Sequence, residues 1–173
     1  GAGIQHTEMF PLIHSDKENP LELFQIWLNL PAADKFVNPY YTMFWHENIP
    51  NLNFWDEEGQ GTTVTLIAGN LVDQKAPAPP PDSYASKAES DIMILLIRME
   101  PNAEWELAPA DAKSHRSLYF YRGENISVNE TEITAYNEIQ MDPGSPMRIK
   151  NGKEEAFLLL LQGRPIEEKV VQY

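Results

Sequence analysis

Short apolar segments separated by turn-forming residues dominate the sequence and predict an all-β fold. From residue 91 onward these segments are rich in β-branched and aromatic side chains, with glycine, proline and asparagine between them. Short strands at such regular spacing are typical of β-sandwiches and barrels. No run with helical periodicity is long enough to compete. The predicted strands are residues 91–99, 104–107, 117–123, 125–128, 131–136, 147–150 and 156–163, with a tight turn at Asp142-Pro143-Gly144.

The first half of the sequence has the features of a second β module, of which it resembles the later part. Residues 23–30 alternate apolar and polar side chains, which predicts a strand with one buried face that Pro31 ends. Residues 31–36 are expected to form one helical turn with proline at its first position. Residues 38–53 combine many aromatic side chains with two prolines and are interpreted as an ordered loop. Residues 62–69 are β-branched and predict another strand.

A proline-rich segment, residues 76–90, separates the two halves. Proline cannot donate a ladder hydrogen bond, so the segment is not a central strand. It is interpreted as a stiff connection between domains, with a polyproline ligand for a partner protein as the alternative. The predicted organisation is an N-terminal module at residues 1–75, a linker at 76–90 and a C-terminal module at 91–173.

Composition narrows the function classes. The chain has no cysteine, which excludes disulfides, thiolate catalysis and cysteine-based zinc sites. Its formal net charge of −13, with lysine and arginine scattered singly, argues against direct nucleic-acid binding. The longest apolar runs have the length of buried strands, so no membrane association is expected. No secretory signal is visible, and the expected location is cytoplasmic, or also nuclear in a eukaryote.

His6 and Glu8 form the most informative polar pair. Side chains two residues apart on a strand point to the same side, so the imidazole and the carboxylate would face one point in space. This donor pair suits iron, manganese, nickel or zinc, although an isolated pair of this kind is more often a plain surface contact. His14, in a polar loop, and His46, beside a tryptophan, are interpreted as surface or structural residues. No nucleophile motif or phosphate-binding loop is present in the sequence.

The sequence around this pair resembles the pirin family, a branch of the cupins. "AGIQHTEMF" is followed in order by "LELFQIWLNLPAADK", "NPYY" and "NIP", and the tail "LLLQGRPIEEKVVQY" also resembles the pirin stretch that ends the second cupin. The resemblance implies a bicupin fold, that is, tandem cupin β-barrels. It also implies a mononuclear divalent metal, most often iron, held in the N-terminal barrel by three histidines and one glutamate.

The resemblance assigns His6 and Glu8 to the second pair of these metal ligands. The family's first pair, an H-x-H motif, is absent from this sequence, so the N-terminal barrel is expected to be incomplete and the chain shortened at both ends. In the second module His115, Ser117 and Glu124 occupy the place of cupin ligands. One histidine makes a poor site, so this barrel is expected to bind no metal.

Several pirins are described as quercetin 2,3-dioxygenases, which implies a flavonol-like substrate. Glu8 would then act as a catalytic general base toward the substrate hydroxyl. Phe24, Ile26 and Leu28 are expected in the barrel wall or in the core behind it. With only two ligands, the chain alone is expected to bind metal weakly and to be inactive. The alternative is a non-catalytic, iron- or redox-responsive regulator that binds a protein partner. Exposed strand edges also predict a homodimer.

Overall fold

A computed structural model describes residues 2–169, and its regular structure is almost entirely β. Four short 3-10 helices lie at Ala32–Asp34, His46–Asn48, Tyr84–Ser86 and Ala88–Ser90. The strands are β1 (Asn51–Trp55), β2 (Gly61–Ala68), β3 (Asn70–Leu71), β4 (Gln74–Lys75), β5 (Met93–Met99), β6 (Glu104–Leu107), β7 (His115–Arg122), β8 (Asn125–Val128), β9 (Thr131–Thr134), β10 (Asn137–Met141), β11 (Met147–Asn151) and β12 (Ala156–Gly163). No helix among the described residues is long and apolar enough to cross a lipid bilayer.

Two antiparallel sheets enclose the core. The larger sheet has the strand order β1-β2-β5-β12-β7-β10, and the smaller one has the order β6-β11-β8-β9. β12 lies between β5 and β7 and pairs antiparallel with both, with Leu160 opposite Leu95 and Leu118. Most residues of β12 are buried, including Leu159 on its outer face, and its sequence is accordingly nearly continuous in apolar residues.

The core consists of the side chains that the two sheets turn toward each other. Strands β7 and β11 alternate buried and exposed residues along their length, as expected for strands with one face on the core. At the end of β7, Gly123 adopts a φ of 134°, and a Cβ there would lie 2.9 Å from the Phe120 ring. Only glycine permits this turn from β7 into β8 without strain. The buried apolar side chains include Val64, Leu66, Leu95, Ile97, Met99, Leu118, Phe120, Ile126, Met147, Ile149, Leu158 and Leu160.

β1 and β2 precede the proline-rich segment but belong to the larger sheet. β2 pairs antiparallel with β5 across that segment, with Val64 opposite Ile97. The segment itself contains the 3-10 helices Tyr84–Ser86 and Ala88–Ser90, and an ion pair joins Lys87 to Asp34. The two halves of the sequence are thus connected by a shared sheet as well as by the linker.

The prediction of a strand at residues 23–30 is wrong for this structure. These residues have no regular secondary structure, and Phe24, Ile26 and Leu28 are between 37% and 41% exposed. A strand requires a hydrogen-bonded partner, and none of the described residues supplies one to this segment. The single helical turn after Pro31 is confirmed at Ala32–Asp34. The all-β fold is confirmed, with a first barrel that is incomplete.

Candidate functional site

His6 and Glu8 lie together at the N-terminal end of the described residues. The His6 Nε2 atom is 3.6 Å from the Glu8 Oε1 atom, and the two side chains are 52% and 59% exposed. The segment around them has no regular secondary structure, so the strand geometry expected from the sequence is not formed here. The two side chains thus lie close together but only partly shielded from solvent, and their role as metal ligands stays a prediction.

Residues 2–45 hold this pair through a few backbone and aromatic contacts. The backbone N–H of Ala2 donates to the carbonyl of Val37 over 2.9 Å. The His6 ring lies 6.2 Å from the Tyr41 ring, between centroids. Gly3 has a φ of 103°, a conformation that favours glycine. Gly3 and Ile4 are among the residues that line a cavity of 230 Å³.

The donor chemistry of the pair fits a metal ion, but the donor count does not. An imidazole nitrogen and a carboxylate oxygen are ligands of iron, manganese, nickel and zinc. Within residues 2–169, no group of three or more histidine, aspartate or glutamate side chains is placed to hold an ion. Since tightly bound catalytic metals have at least three protein ligands, His6 and Glu8 alone do not make up such a site.

The other histidines are dispersed and exposed. His14 lies in a loop organised by Asn19, whose side-chain oxygen accepts from the backbone N–H groups of Ile13 and His14. His46 begins a 3-10 helix and has no buried neighbours within it. These placements agree with the structural or surface roles expected for them.

The second barrel has a buried arginine on β7, between His115 and Ser117, the two residues that occupy the place of cupin ligands. Along β7, His115 and Ser117 face outward, whereas Arg116 is 2% exposed and faces inward. Glu124 is exposed as well. A guanidinium has no lone pair to offer a metal and repels cations, so the interior of this barrel is unsuited to a metal ion.

Arg116 is only partly satisfied by hydrogen bonds. Its Nε and Nη2 atoms donate to Gln162 Oε1 over 2.9 and 2.7 Å, and Nη2 also donates to the carbonyl of Ala108 over 3.1 Å. Nη1 is buried without a partner among the described residues. Burial lowers the pKa of Arg116, and the negative charge of Asp91 opposes this shift. Gln162 in turn donates to the Asp91 carbonyl over 3.3 Å.

A cluster that the sequence did not predict joins residues 22–24 to the outer face of the second barrel. The Tyr121 hydroxyl donates to Glu22 over 3.3 Å, and Phe24 packs edge-on against the Tyr121 ring at 4.8 Å. Arg122 lies 3.5 Å above the Phe157 ring and 3.6 Å from the Glu22 carboxylate. In the sequence, the alternation along β7 was the one signal that could have placed Tyr121 outside the core.

This antiparallel barrel, built from a six-stranded and a four-stranded sheet, is of the cupin class. A crystal structure of a quercetin 2,3-dioxygenase from Acinetobacter baumannii superimposes with a TM-score of 0.69 at 21% identity, covering 85% of this chain and 47% of that one. A likeness at this identity concerns the fold.

Sequence comparisons then give the family. Residues 94–173 match the pirin C-terminal cupin domain; residues 170–173 of this match, and of the tail resemblance, lie outside the described residues. A pirin-like protein of Solanum lycopersicum is 28% identical over 100% of this chain and 54% of its own length. A Pseudomonas aeruginosa protein provisionally named quercetin 2,3-dioxygenase is 28% identical over 99% of this chain and 56% of its own length. The chain is therefore similar to pirin-family proteins, and it spans about half the length of these relatives.

Proposed function

We propose that this chain contributes His6 and Glu8 to the metal centre of a pirin-type cupin oxidoreductase that acts on a flavonol-like substrate. The observation that carries the proposal is the 3.6 Å approach of His6 to Glu8 within residues 2–45. The naming of the Pseudomonas aeruginosa relative as a quercetin 2,3-dioxygenase supports the reaction class. Iron is the metal we propose, because the resemblance to pirins implies it and a mixed nitrogen and oxygen donor set suits it.

The two residues would have different tasks. His6 would donate a ring nitrogen lone pair and remain neutral, which requires that it be deprotonated before binding. Glu8 would contribute a carboxylate oxygen and could also accept the proton of the substrate hydroxyl at its second oxygen, Oε2, as a general base. A divalent metal, when bound, supplies Lewis acidity that lowers the pKa of such a hydroxyl.

Two protein ligands cannot hold the ion tightly. Each donor adds to affinity mainly when the others fix the ion in place, and structures of catalytic metal sites show three or more. We therefore expect this chain alone to bind iron(II) weakly and to show no measurable dioxygenase activity. A protein that joins this sequence to a complete first barrel would bind the metal stoichiometrically.

Paramagnetic Mn²⁺ tests the half-site on the chain itself. Titration of ¹⁵N-labelled protein should broaden the amide signals around His6 and Glu8 first, because relaxation falls steeply with distance from the ion. The double variant His6→Ala, Glu8→Gln should abolish this broadening. The matched control His14→Ala, Glu18→Gln removes the same residue types from the neighbouring loop and should leave it unchanged.

Two results would contradict the proposal. Broadening of the amide signals that is uniform along the chain, with no preference for residues 6–8, would exclude His6 and Glu8 as ligands. Stoichiometric iron retained by this chain after anaerobic loading and desalting would show that the site is complete without further ligands. Oxygen uptake with quercetin, measured on a protein that includes a complete first barrel, then tests the reaction. If no oxygen is consumed, the proposed reaction is wrong and only the proposed metal binding by His6 and Glu8 stands.

A further inference from the structure

The first strand of the larger sheet has one edge without a pairing partner. β1 lies at the end of the strand order β1-β2-β5-β12-β7-β10 and pairs only with β2. The Pro50 carbonyl accepts from the backbone N–H of Leu66 over 2.9 Å, and hydrogen-bonded positions alternate along an antiparallel ladder. The backbone groups of Asn51, Asn53 and Trp55 therefore point away from β2, and no described part of the chain pairs with them.

Among the described residues, β1 is the one edge strand of the larger and smaller sheets that carries no charged side chain. The other three edge strands contain glutamates, Glu104 and Glu106 on β6, Glu132 on β9 and Glu138 on β10. Natural proteins place charges on free edges to prevent pairing with another chain. β1 has the sequence NLNFW instead, and its Trp55 is 70% exposed. This edge is thus unprotected, which marks it as a place where another strand can pair.

The sequence of β1 suits antiparallel pairing with a second copy of itself. If Asn53 lies opposite Asn53 of the other copy, Leu52 lies opposite Phe54 and Asn51 lies opposite Trp55. The outward backbone groups of both strands then pair, which gives about six hydrogen bonds. Leu52 and Phe54 are half-buried against the core, so each would cover apolar surface that the other leaves exposed. Each copy contributes the same residues, as a two-fold axis requires.

Charge favours a second copy over a basic partner protein at this edge. The chain has a formal net charge of −13, so two copies repel each other over most of their surfaces. The repulsion is least at an edge that carries no charge. In the symmetric pairing, the acidic turns at residues 56–58 lie at opposite ends of the paired strands and stay apart. A basic partner would instead be attracted to the edges that carry glutamate.

We propose that two copies of this chain associate through β1, with Asn53 at the two-fold axis. The pairing joins the two larger sheets into one continuous antiparallel sheet. β1 contains neither His6 nor Glu8, so this interface is independent of the metal-dependent function proposed above.

Disulfide trapping tests the pairing and its register, because the chain contains no cysteine. The Cα atoms of a hydrogen-bonded antiparallel pair are about 5.5 Å apart, within the range of about 4.4–6.8 Å that disulfides span. On mild oxidation, Asn53→Cys should form a covalent dimer at least about tenfold faster than Asn51→Cys, whose thiol faces Trp55 of the other copy. Asn137→Cys, on the edge strand β10, is the second control and should be as slow as Asn51→Cys.

Amide hydrogen exchange tests the same pairing without a thiol. Protection of the Asn51, Asn53 and Trp55 amides should rise with protein concentration, because these groups pair only in the dimer. Asn53→Lys should abolish this rise, since two like charges then meet at the axis. The Leu52 amide faces β2 and should exchange at the same rate at all concentrations.

Three results would overturn the proposal. Equal crosslinking rates for the three cysteine variants would show that no specific register forms. Exchange at Asn51, Asn53 and Trp55 that does not depend on concentration would exclude a second copy as the strand that pairs with β1. Loss of both effects in Trp27→Lys, which changes a side chain that is 88% exposed outside β1, would place the interface elsewhere. EDTA is present throughout, so none of these results bears on metal binding.

Discussion

The Tyr121 hydroxyl donates a hydrogen bond to the Glu22 carboxylate over 3.3 Å, between residues 99 positions apart in the sequence. This contact, with Phe24 against the same ring, anchors the N-terminal residues to the outer face of β7. Burial first, and the negative charge of Glu22 second, raise the pKa of Tyr121 to about 12. The anchoring contact is therefore sensitive to alkali.

Titration of Tyr121 tests this relationship. Its folded-state pKa lies above the ordinary value of 10.0, so the neutral phenol stabilises the fold fully below pH 10 and this contribution is lost as pH rises from 10 toward 12. Glu22→Gln should lower the pKa of Tyr121 but leave it above 10, because burial remains. Ultraviolet absorbance of tyrosinate measures the pKa. Glu132→Gln, on β9, is the control, and an unchanged titration in Glu22→Gln would contradict the contact.

The buried Arg116 predicts a pattern of stability changes. Arg116→Lys should destabilise the protein by roughly 1–3 kcal/mol, because one ammonium cannot reproduce the forked bonds to Gln162 and Ala108. Arg116→Met should also destabilise, since it leaves the Gln162 oxygen buried without a donor. The double variant Arg116→Met, Gln162→Leu should recover most of that loss, because both polar partners are then apolar.

Urea unfolding of the unchanged protein, Arg116→Met, Gln162→Leu and the double variant forms a double-mutant cycle. Arg148→Lys, which changes an exposed arginine on β11, should shift stability by less than about 0.5 kcal/mol. A double variant as unstable as the sum of its single variants would show that Arg116 and Gln162 act independently. That outcome would contradict the role of Gln162 as the partner of the guanidinium.

The strands of the second half could be predicted because their sequence patterns are local. β12 is predicted with the bounds that the structure gives, residues 156–163, since its apolar run and the glycine at its end need no partner to be recognised. β10 was not predicted, because "NEIQM" has little β preference and forms a strand by pairing with β7. For residues 23–30 the error is the reverse, because a strand was predicted there and none forms. A strand-like sequence pattern forms no strand without a pairing partner.

The residues of the candidate site could likewise be predicted only where the signal in the sequence is local. His6 and Glu8 could be named from the sequence because their relation depends on two nearby residues and on a resemblance to a family, and their role as metal ligands stays a prediction. Arg116 could not be predicted because its burial depends on which face of β7 turns inward, and the cupin pattern points to its neighbours His115 and Ser117. The division into domains at residues 76–90 and the cytoplasmic location stay predictions.

Acid should destabilise the protein through Asp56. Its carboxylate accepts from the backbone N–H groups of Glu104, Gln60 and Glu58 over 2.9, 2.9 and 3.0 Å, linking the β1–β2 turn to β6. These bonds, led by the one from Glu104, hold the pKa of Asp56 below its ordinary value of 3.8. The group therefore contributes stability above about pH 4 that is lost as pH falls toward the lower folded-state pKa.

Thermal unfolding across this pH window measures the effect. Asp56→Asn keeps an acceptor but cannot titrate, so the loss of stability below about pH 4 should be smaller than in the unchanged protein. Asp73→Asn, in the exposed turn after β3, is the matched control and should keep the full acid dependence. An identical pH profile for Asp56→Asn and the unchanged protein would show that Asp56 does not take part in acid unfolding.

The apolar surface of residues 4–45 predicts that this chain associates with itself. Met9 and Trp27 are 90% and 88% exposed, and many other large apolar side chains of this segment are exposed as well. Contiguous exposed apolar surface marks an interaction site, and a second copy could pair the strand-like residues 23–30 symmetrically. Light scattering should give a mass above the 19.7 kDa of one chain. Trp27→Lys should lower that mass, whereas Tyr136→Lys, which charges a side chain that is 87% exposed in the second barrel, should not. A mass of 19.7 kDa at all concentrations would show that this surface does not drive association.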